Sequence, residues 1–463
     1  MTALAATLAQ LVCATDPHGY PAATIAKMQT HLLDTLGVSI AGSQAPETQL
    51  LLRALSLHKA RSGQAAVWGT ELWVDRRSAA LINGVAAHAY ELDDSGGCDH
   101  SGAVVVPALV AWASRRSRPV SGSAFLHACI MGYEVGRRVL EACGGYEAHN
   151  ERGWHSTGTC GVFGAATAVA VAQGLDTSAL TATLGIAASG AAGNWSFIHD
   201  GSQTKKLHAG RAAEAGYLAA QLAQSGYSGP ATVFDAGSWG NFFTTYAGES
   251  AVPAALTDDY GARWRVDRCS LKPYATCRGT HAGIDALGML LAAHDLQPAD
   301  IATIHVDISP FQYGMCGATR VTTRAEAQMS LPYALAARLV YGKVFLAELA
   351  DGAWATPAIA DWLARTTVHS DASQAADAEP LISITTRAGA THRLRVDEPL
   401  GSPGRPLPAA AVTAKFTDLV TPVLGAAAAQ SICAAVAALP TSTDIAPLIG
   451  ALSTPTTQRG TAS

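Results

Sequence analysis

Four short stretches gather the residue types that move protons or hold anions. The first is Glu91-Leu92-Asp93-Asp94-Ser95, followed by Asp99-His100-Ser101-Gly102. Three carboxylates, a glycine-rich turn and a histidine beside an aspartate can bind a metal, orient the imidazole, or end a helix in solvated acids. Asp93 and Asp94 are adjacent, so on a helix they point about 100° apart and cannot share one ligand. The second stretch, Gly153-Trp154-His155-Ser156-Thr157-Gly158, sets a histidine at the opening of an Ala/Gly helix. That placement disfavours the protonated ring and leaves a usable base, and it equally suits a hydrogen-bonded core histidine. The third runs from Asp200 to Gly210 and carries Lys205, Lys206 and His208 ahead of a small-residue helix. These cations suit a carboxylate-bearing substrate or a solvated basic loop. The fourth, Leu271 to His281, holds Lys272, Tyr274, Cys277, Arg278 and His281. Cys277 near Lys272 and Arg278 is either a thiolate or a buried structural thiol.

The background makes these clusters stand out. The chain has 463 residues, 49% hydrophobic and only 14% charged, with 44 glycines. Such composition excludes disorder as the main state and is long enough for two or three domains. Net charge is −5 with no run of basic residues, which argues against nucleic acid or an anionic membrane as partner. The nine cysteines, at 13, 98, 129, 143, 160, 269, 277, 316 and 433, include no CxxC pair. They read as small buried hydrophobes in a reducing, cytoplasmic setting rather than as a disulfide or zinc framework. The N-terminus lacks the basic and apolar regions of a signal peptide. The apolar stretches Gly102–Ala113, Gly161–Gly174 and Pro422–Pro440 read as buried helices.

The elements that must position these residues are mostly helices. Ile25, Met28, Leu32, Leu33 and Leu36 form a helical stripe that Gly37 is expected to end. Arg77–Tyr90, Ser121–Cys143, Thr177–Ala192 and Arg211–Gln224 are further Ala-rich helices. Near Arg263 the texture changes. Ile304, Val306 and Ile308 alternate with polar residues, Thr366–His369 is a second strand, and Leu381–Thr386 and Thr391–Val396 flank a hairpin turn. After Pro399 helices return, Pro408–Leu419 and Leu424–Leu439. The expected fold is mainly α. The helices at both chain ends (1–264 and 401–452) are expected to join, with a smaller α+β domain (265–400) inserted and a disordered tail at 453–463.

Nucleotide and hydrolase motifs are absent: no GxxxxGK[ST], no strand-anchored GxGxxG, no GxSxG and no HExxH. Read in order, the clusters resemble the MmgE/PrpD family of 2-methylcitrate dehydratase, cis-aconitate decarboxylase and iminodisuccinate epimerase. The matching text is Asn83-Gly84-Val85-Ala86-Ala87-His88 leading into Leu92-Asp93-Asp94 and His100-Ser101, then Gly132-Tyr133-Glu134-Val135. It continues through Gly153 to Thr157, Thr204 to Gly210, Gly226 to Pro230, Lys272-Pro273-Tyr274, Ser330-Leu331-Pro332-Tyr333 and Lys415-Phe416.

The resemblance implies a large all-helical domain formed by both chain ends plus an inserted smaller α+β lid domain, in a homodimer performing cofactor-free chemistry on small di- or tricarboxylates in a cleft between domains, with no metal. It implies a lyase, either dehydratase or decarboxylase. The alternatives are an epimerase of a dicarboxylate and a catalytically inactive homologue. His100, His155, Lys205, Lys272 and Asp93 would do the chemistry. Glu91, Ser95, Lys206, Tyr274, Cys277, Arg278 and His281 would bind substrate. Two positions depart from the family: Glu91 replaces the first acid of D-x-D-D, and Cys277 stands where the decarboxylase pattern has a histidine. All the implied reactions require stabilised negative charge on a carbon beside a carboxylate and a pair of proton-transfer groups.

Overall fold

The structure is a computed structural model that describes residues 3–237 and 239–453. It is mainly α, with six short strands among the described residues. The expected helices form with shifted ends. Asp75 caps Arg76–His88 by accepting from the Ser78 amide, and Ser121 likewise caps Gly122–Ala142. The helix begun at Ala22 does not stop at Gly37 but continues to Gly42. A Cβ at Gly37 would lie 2.8 Å from the Phe416 ring, so this glycine admits a crossing helix instead of ending its own. The helix expected from Thr177 to Ala192 ends at Ala187 and passes into a short 3₁₀ turn. The one expected from Arg211 starts at Thr204, which places Lys205, Lys206 and His208 inside the helix Thr204–Gln224 rather than ahead of it. At the C-terminal end Ala409–Leu424 and Ala426–Ala438 meet at Gly425, whose φ of 85° breaks the run.

Packing among the helices depends on absent side chains. Gly84 and Gly210 face each other where Arg76–His88 crosses Thr204–Gln224; a Cβ on Gly84 would be 2.8 Å from the Gly210 Cα. This contact brings the C-terminal end of one helix, leading into Glu91, against the N-terminal end of the other, bearing Lys205.

Strands β1 (Ala65–Ala66) and β2 (Trp73–Val74) form a small antiparallel ladder. The remaining four, β3 (Ile301–Ile308), β4 (Thr366–Ser370), β5 (Leu381–Thr386) and β6 (Thr391–Arg395), form one mixed sheet in the order β4-β3-β5-β6. β3 pairs parallel to β4 and antiparallel to β5, and β5 pairs antiparallel to β6 through the turn at Gly389. Ile304, Val306 and Ile308 face the core, with Thr303, His305 and Asp307 on the opposite face.

Buried apolar side chains fall into two clusters. One is built from residues up to Cys269 and from Phe416 onward. The other lies between Ala275 and Val396 and also takes Val38, Ala41, Leu92 and Leu419. The tail expected to be disordered lies, beyond Ser453, outside the described residues. Among the described residues no helix is long and apolar enough to cross a membrane.

Candidate active site

The Arg76–His88 helix ends just before Glu91, and the chain then turns sharply. Glu91 has φ 52° and Asp99 φ 104°, in the left-handed region that side chains with a Cβ seldom occupy. This turn is stitched to the strand-like segment before Lys272: the Ser95 amide donates to the Ser270 carbonyl (3.0 Å) and the Ser270 amide donates back (2.8 Å). Acid loop and Lys272 are thereby held together. Asp94 serves this scaffold, accepting from His31, the Tyr133 hydroxyl and the Gly102 amide. Adjacent Asp93 points elsewhere, as neighbouring side chains must.

Glu91 is fully buried and accepts from three lysines: Lys205 at 2.5 Å, Lys206 at 2.6 Å and Lys272 at 3.2 Å. Burial alone would raise its pKa, but Lys205, Lys206 and their neighbours hold it well below the usual range. Burial disfavours the Lys205 cation, yet Glu91 pushes its pKa up to about 12. Lys206 pays the same burial cost, is repelled by Lys205, and is drawn down to about 8. Lys205 and Lys206 also occupy the first turn of their helix, where the dipole is positive. The spot therefore attracts anions from two sources.

The histidines separate in pKa. The Nδ1 of His100 lies 2.9 Å from the Asp94 carbonyl and 3.0 Å from the Asp93 carboxylate, while its Nε2 is 3.3 Å from Asp99. Burial lowers its pKa, but Asp99 and Asp93 outweigh burial and raise it. His155 is driven the other way, well below the ordinary value, first by burial and then by Lys205 and His208. The His155 Nδ1 meets the His208 Nδ1 at 3.0 Å, and its Nε2 has no hydrogen-bond partner among the described residues. The His100 and His155 rings are 6.5 Å apart. The two imidazoles are thus pushed apart, His100 toward the charged form and His155 toward the neutral one.

A cleft of about 400 Å³ opens beside this cluster. Of the residues singled out in sequence, Glu91, Ser95, His100, Lys205, Cys277 and Arg278 line it. Asp93, His155, Lys206 and Lys272 sit buried against those residues. Tyr274 and His281 do not join the wall. The Tyr274 hydroxyl donates to Asp285 at 2.5 Å, and the His281 ring stands edge-on to Tyr274 with its Nε2 3.2 Å from the Thr276 carbonyl. Both share the sequence cluster of Lys272 and Cys277, but their polar atoms are taken by Asp285 and the Thr276 carbonyl, outside the cleft lining. Cys277 is drawn down to about 6, first by its hydrogen bond with Cys316 and, against burial, by Lys205. Arg278 pairs with Glu379 at 2.8 Å across the cleft mouth.

His88 was missed as a functional residue. It is fully buried, donates from Nδ1 to Asp93 (3.0 Å) and presents Nε2 to Glu91 at 3.4 Å. Burial depresses its pKa to about 3, so the ring is neutral. Its place at the end of the Asn83–His88 stretch that leads into the acid loop was the available signal. His88, His100 and His155 have donor atoms within 4.8 Å of one another. They suit a metal poorly, because both ring nitrogens of His100 already face oxygen acceptors, the Asp94 carbonyl and Asp93 at Nδ1 and Asp99 at Nε2.

The comparisons with known proteins agree along nearly the whole chain. The MmgE/PrpD N-terminal domain matches residues 6–253 and the MmgE/PrpD C-terminal domain residues 274–440. A cis-aconitate decarboxylase-like protein, oryM of Aspergillus oryzae, is 31% identical over 79% of this chain and 79% of its own. Cis-aconitate decarboxylase of Aspergillus terreus is 26% identical over 94% of this chain and 93% of its own. The human cis-aconitate decarboxylase is 28% identical over 85% and 82%. With both domains matched in order and the acid loop, histidines and lysines gathered at one cleft, this chain belongs to the MmgE/PrpD family.

Proposed function

We propose that the protein is a lyase removing carbon dioxide or water from a small di- or tricarboxylate, such as cis-aconitate or 2-methylcitrate, without a cofactor. The observation that carries this reading is the lysine cluster. Three buried ammonium groups face one carboxylate, so with all four ionised the excess is two positive charges (three minus one). Two substrate carboxylates would neutralise it. Decarboxylation is the leading form, since the relatives bearing that name match both domains.

In decarboxylation the carbon–carbon bond to the departing carboxylate breaks and CO₂ leaves. The electron pair passes to the carbon beside a remaining carboxylate. Lys205 and Lys272 stabilise that charge, and His100 gives its proton to the carbon, leaving a neutral ring that recovers a proton from water. In dehydration His155 takes the carbon-bound proton and His100 protonates the leaving hydroxyl, which departs as water. Asp93 and Asp99 keep His100 charged between turnovers.

The test is incubation of purified protein with cis-aconitate, 2-methylcitrate and iminodisuccinate in deuterated water, followed by NMR. The expected result is CO₂ release or a new alkene, with deuterium in the product of decarboxylation. Deuterium exchange into an otherwise unchanged iminodisuccinate would overturn the lyase reading in favour of epimerisation.

A further inference from the structure

We propose that His305, Asp307 and His369 form a binding site for a divalent late first-row transition ion, zinc foremost, on the outer face of the four-stranded sheet. The site follows from strand register. β3 and β4 run parallel with His305 opposite Thr367 and Asp307 opposite His369. Alternation along each strand then puts His305, Asp307, Thr367 and His369 on one face. The Asp307 Oδ1 is 3.1 Å from the His305 Nε2 and 3.0 Å from the His369 Nδ1. All three donor atoms lie within 4.8 Å of one another.

The hydrogen bonds around the cluster leave room for a cation. The His305 Nδ1 lies 2.8 Å from the Thr367 hydroxyl, which holds the ring with its Nε2 turned toward Asp307. A neutral ring that donates from Nδ1 turns the lone pair of Nε2 toward the Asp307 carboxylate. In that tautomer two electron-rich atoms face each other at 3.1 Å, and a cation between them makes the contact favourable. The Thr367 contact also serves as the outer hydrogen bond that metal-binding histidines commonly make through their other nitrogen.

Donor chemistry selects the ion. Two imidazoles and one carboxylate suit zinc, nickel or copper, whereas magnesium and calcium require mostly oxygen donors. Tetrahedral bonds of about 2.0–2.2 Å to nitrogen and oxygen separate neighbouring donors by roughly 3.4 Å, so the 3.0 and 3.1 Å spacings at Asp307 need widen only slightly. His305 and His369 are 46% and 61% exposed at the side chain, so the rings can close on an ion and water can complete its shell.

The location gives the site consequence. β3 runs through Ser309 into Pro310–Cys316, whose Phe311, Gln312 and Met315 line the cleft, and the segment after β4 returns to it at Ala376, Asp377 and Glu379. An ion at His305, Asp307 and His369 would clip the two strands together at the root of both segments.

The experiment is calorimetric titration of the metal-stripped full chain with Zn²⁺ and then Ni²⁺, compared with His305→Ala, His369→Ala and the double variant. The buried trios His88-His100-His155 and Cys143-His149-Cys160 stay intact in all three. The expected result is one equivalent of Zn²⁺ bound in the parent. Affinity should fall at least about tenfold in each single variant and vanish in the double. Circular dichroism should show unchanged helix content, since both rings are at the surface. Undiminished binding in the double variant, or no binding in the parent at about 1 mM Zn²⁺, would overturn the proposal.

Discussion

At His100 two carboxylates, Asp99 and Asp93, outweigh burial and raise the ring's pKa, while at His155 burial and Lys205 lower it. Removing His155 deletes the acceptor and leaves the donor, and removing Lys272 leaves Glu91 facing two cations instead of three. Each of His155→Ala and Lys272→Ala is expected to lower kcat/KM at least about 100-fold in folded protein, a typical loss for proton-transfer and charge-stabilising groups. Steady-state kinetics on the substrate found active will check this, and near-parental rates in either variant would refute the assignment. Lys206 gives a pH prediction. Its pKa is lowered to about 8, so the cation is present below that pH and lost above it. kcat/KM for a dianionic substrate should therefore fall as pH rises through about 8, and Lys206→Met should lack that limb. If Lys206→Met keeps the limb with its midpoint unmoved, another group is responsible. At this scale the sequence showed the right residue types but not their pairings. His88 reads as one more position in an Ala-rich helix, because nothing in spacing alone reveals that Asp93 and Glu91 fold back onto it.

The helices Arg76–His88 and Thr204–Gln224 hold Glu91 and Lys205 in register through the Gly84–Gly210 crossing. A Cβ at Gly210 would fall 2.3 Å from the Leu81 carbonyl and 2.7 Å from the Val85 side chain. Gly210→Val must push the helices apart, at a cost of about 1–3 kcal/mol for overpacking. It should also lower kcat/KM more than tenfold, since about 1 Å of misplacement at a reacting centre can cost 100-fold. Gly288→Ala is the matching control: its nearest neighbour would be Arg338 at 3.6 Å, and a helical Gly-to-Ala change there should raise stability by about 0.5–1 kcal/mol. Chemical denaturation and kinetics on both variants test the contrast; a Gly210→Val protein with parental stability and rate would show that the crossing does not set the site. The same glycines explain what was legible. Alternation in β3 and the Ala388-Gly389 turn between β5 and β6 are local signals, and the sequence reading recovers them. Gly37 misleads because a glycine that admits Phe416 and a glycine that ends a helix look alike until the partner helix is known. The lysine helix starts at Thr204, earlier than its apolar pattern suggests, because Glu91, distant in sequence, compensates two cations at its positive end.

Across the whole molecule, Glu91 stands where the two apolar cores meet. Leu92, its neighbour, belongs to the core built mainly from residues 275–396. Lys415 from the C-terminal helices donates to the Leu92 carbonyl at 2.8 Å and pairs with Asp34, and Lys272 donates to the Glu91 carbonyl at 3.2 Å. With Lys205 and Lys206 on the Glu91 carboxylate, one turn is gripped from three distant parts of the chain. The chain as a whole is net negative and sparsely charged, so this locally cationic seam is exceptional within it. A ligand that neutralises the seam binds only the folded arrangement and must stabilise it by mass action. Tricarballylate, a saturated tricarboxylate with no double bond or hydroxyl to react, is the suitable probe. At about 100 times its Kd it should add about 2.7 kcal/mol to unfolding stability, seen as a rise in Tm. Propionate, with one carboxylate, should give little shift at the same concentration. Lys205→Gln should abolish the tricarballylate effect, because it removes the cation that both lines the cleft and pairs with Glu91. Equal shifts from the two acids, or an undiminished shift in Lys205→Gln, would mean that the cations at this seam stabilise the fold and do not receive the substrate.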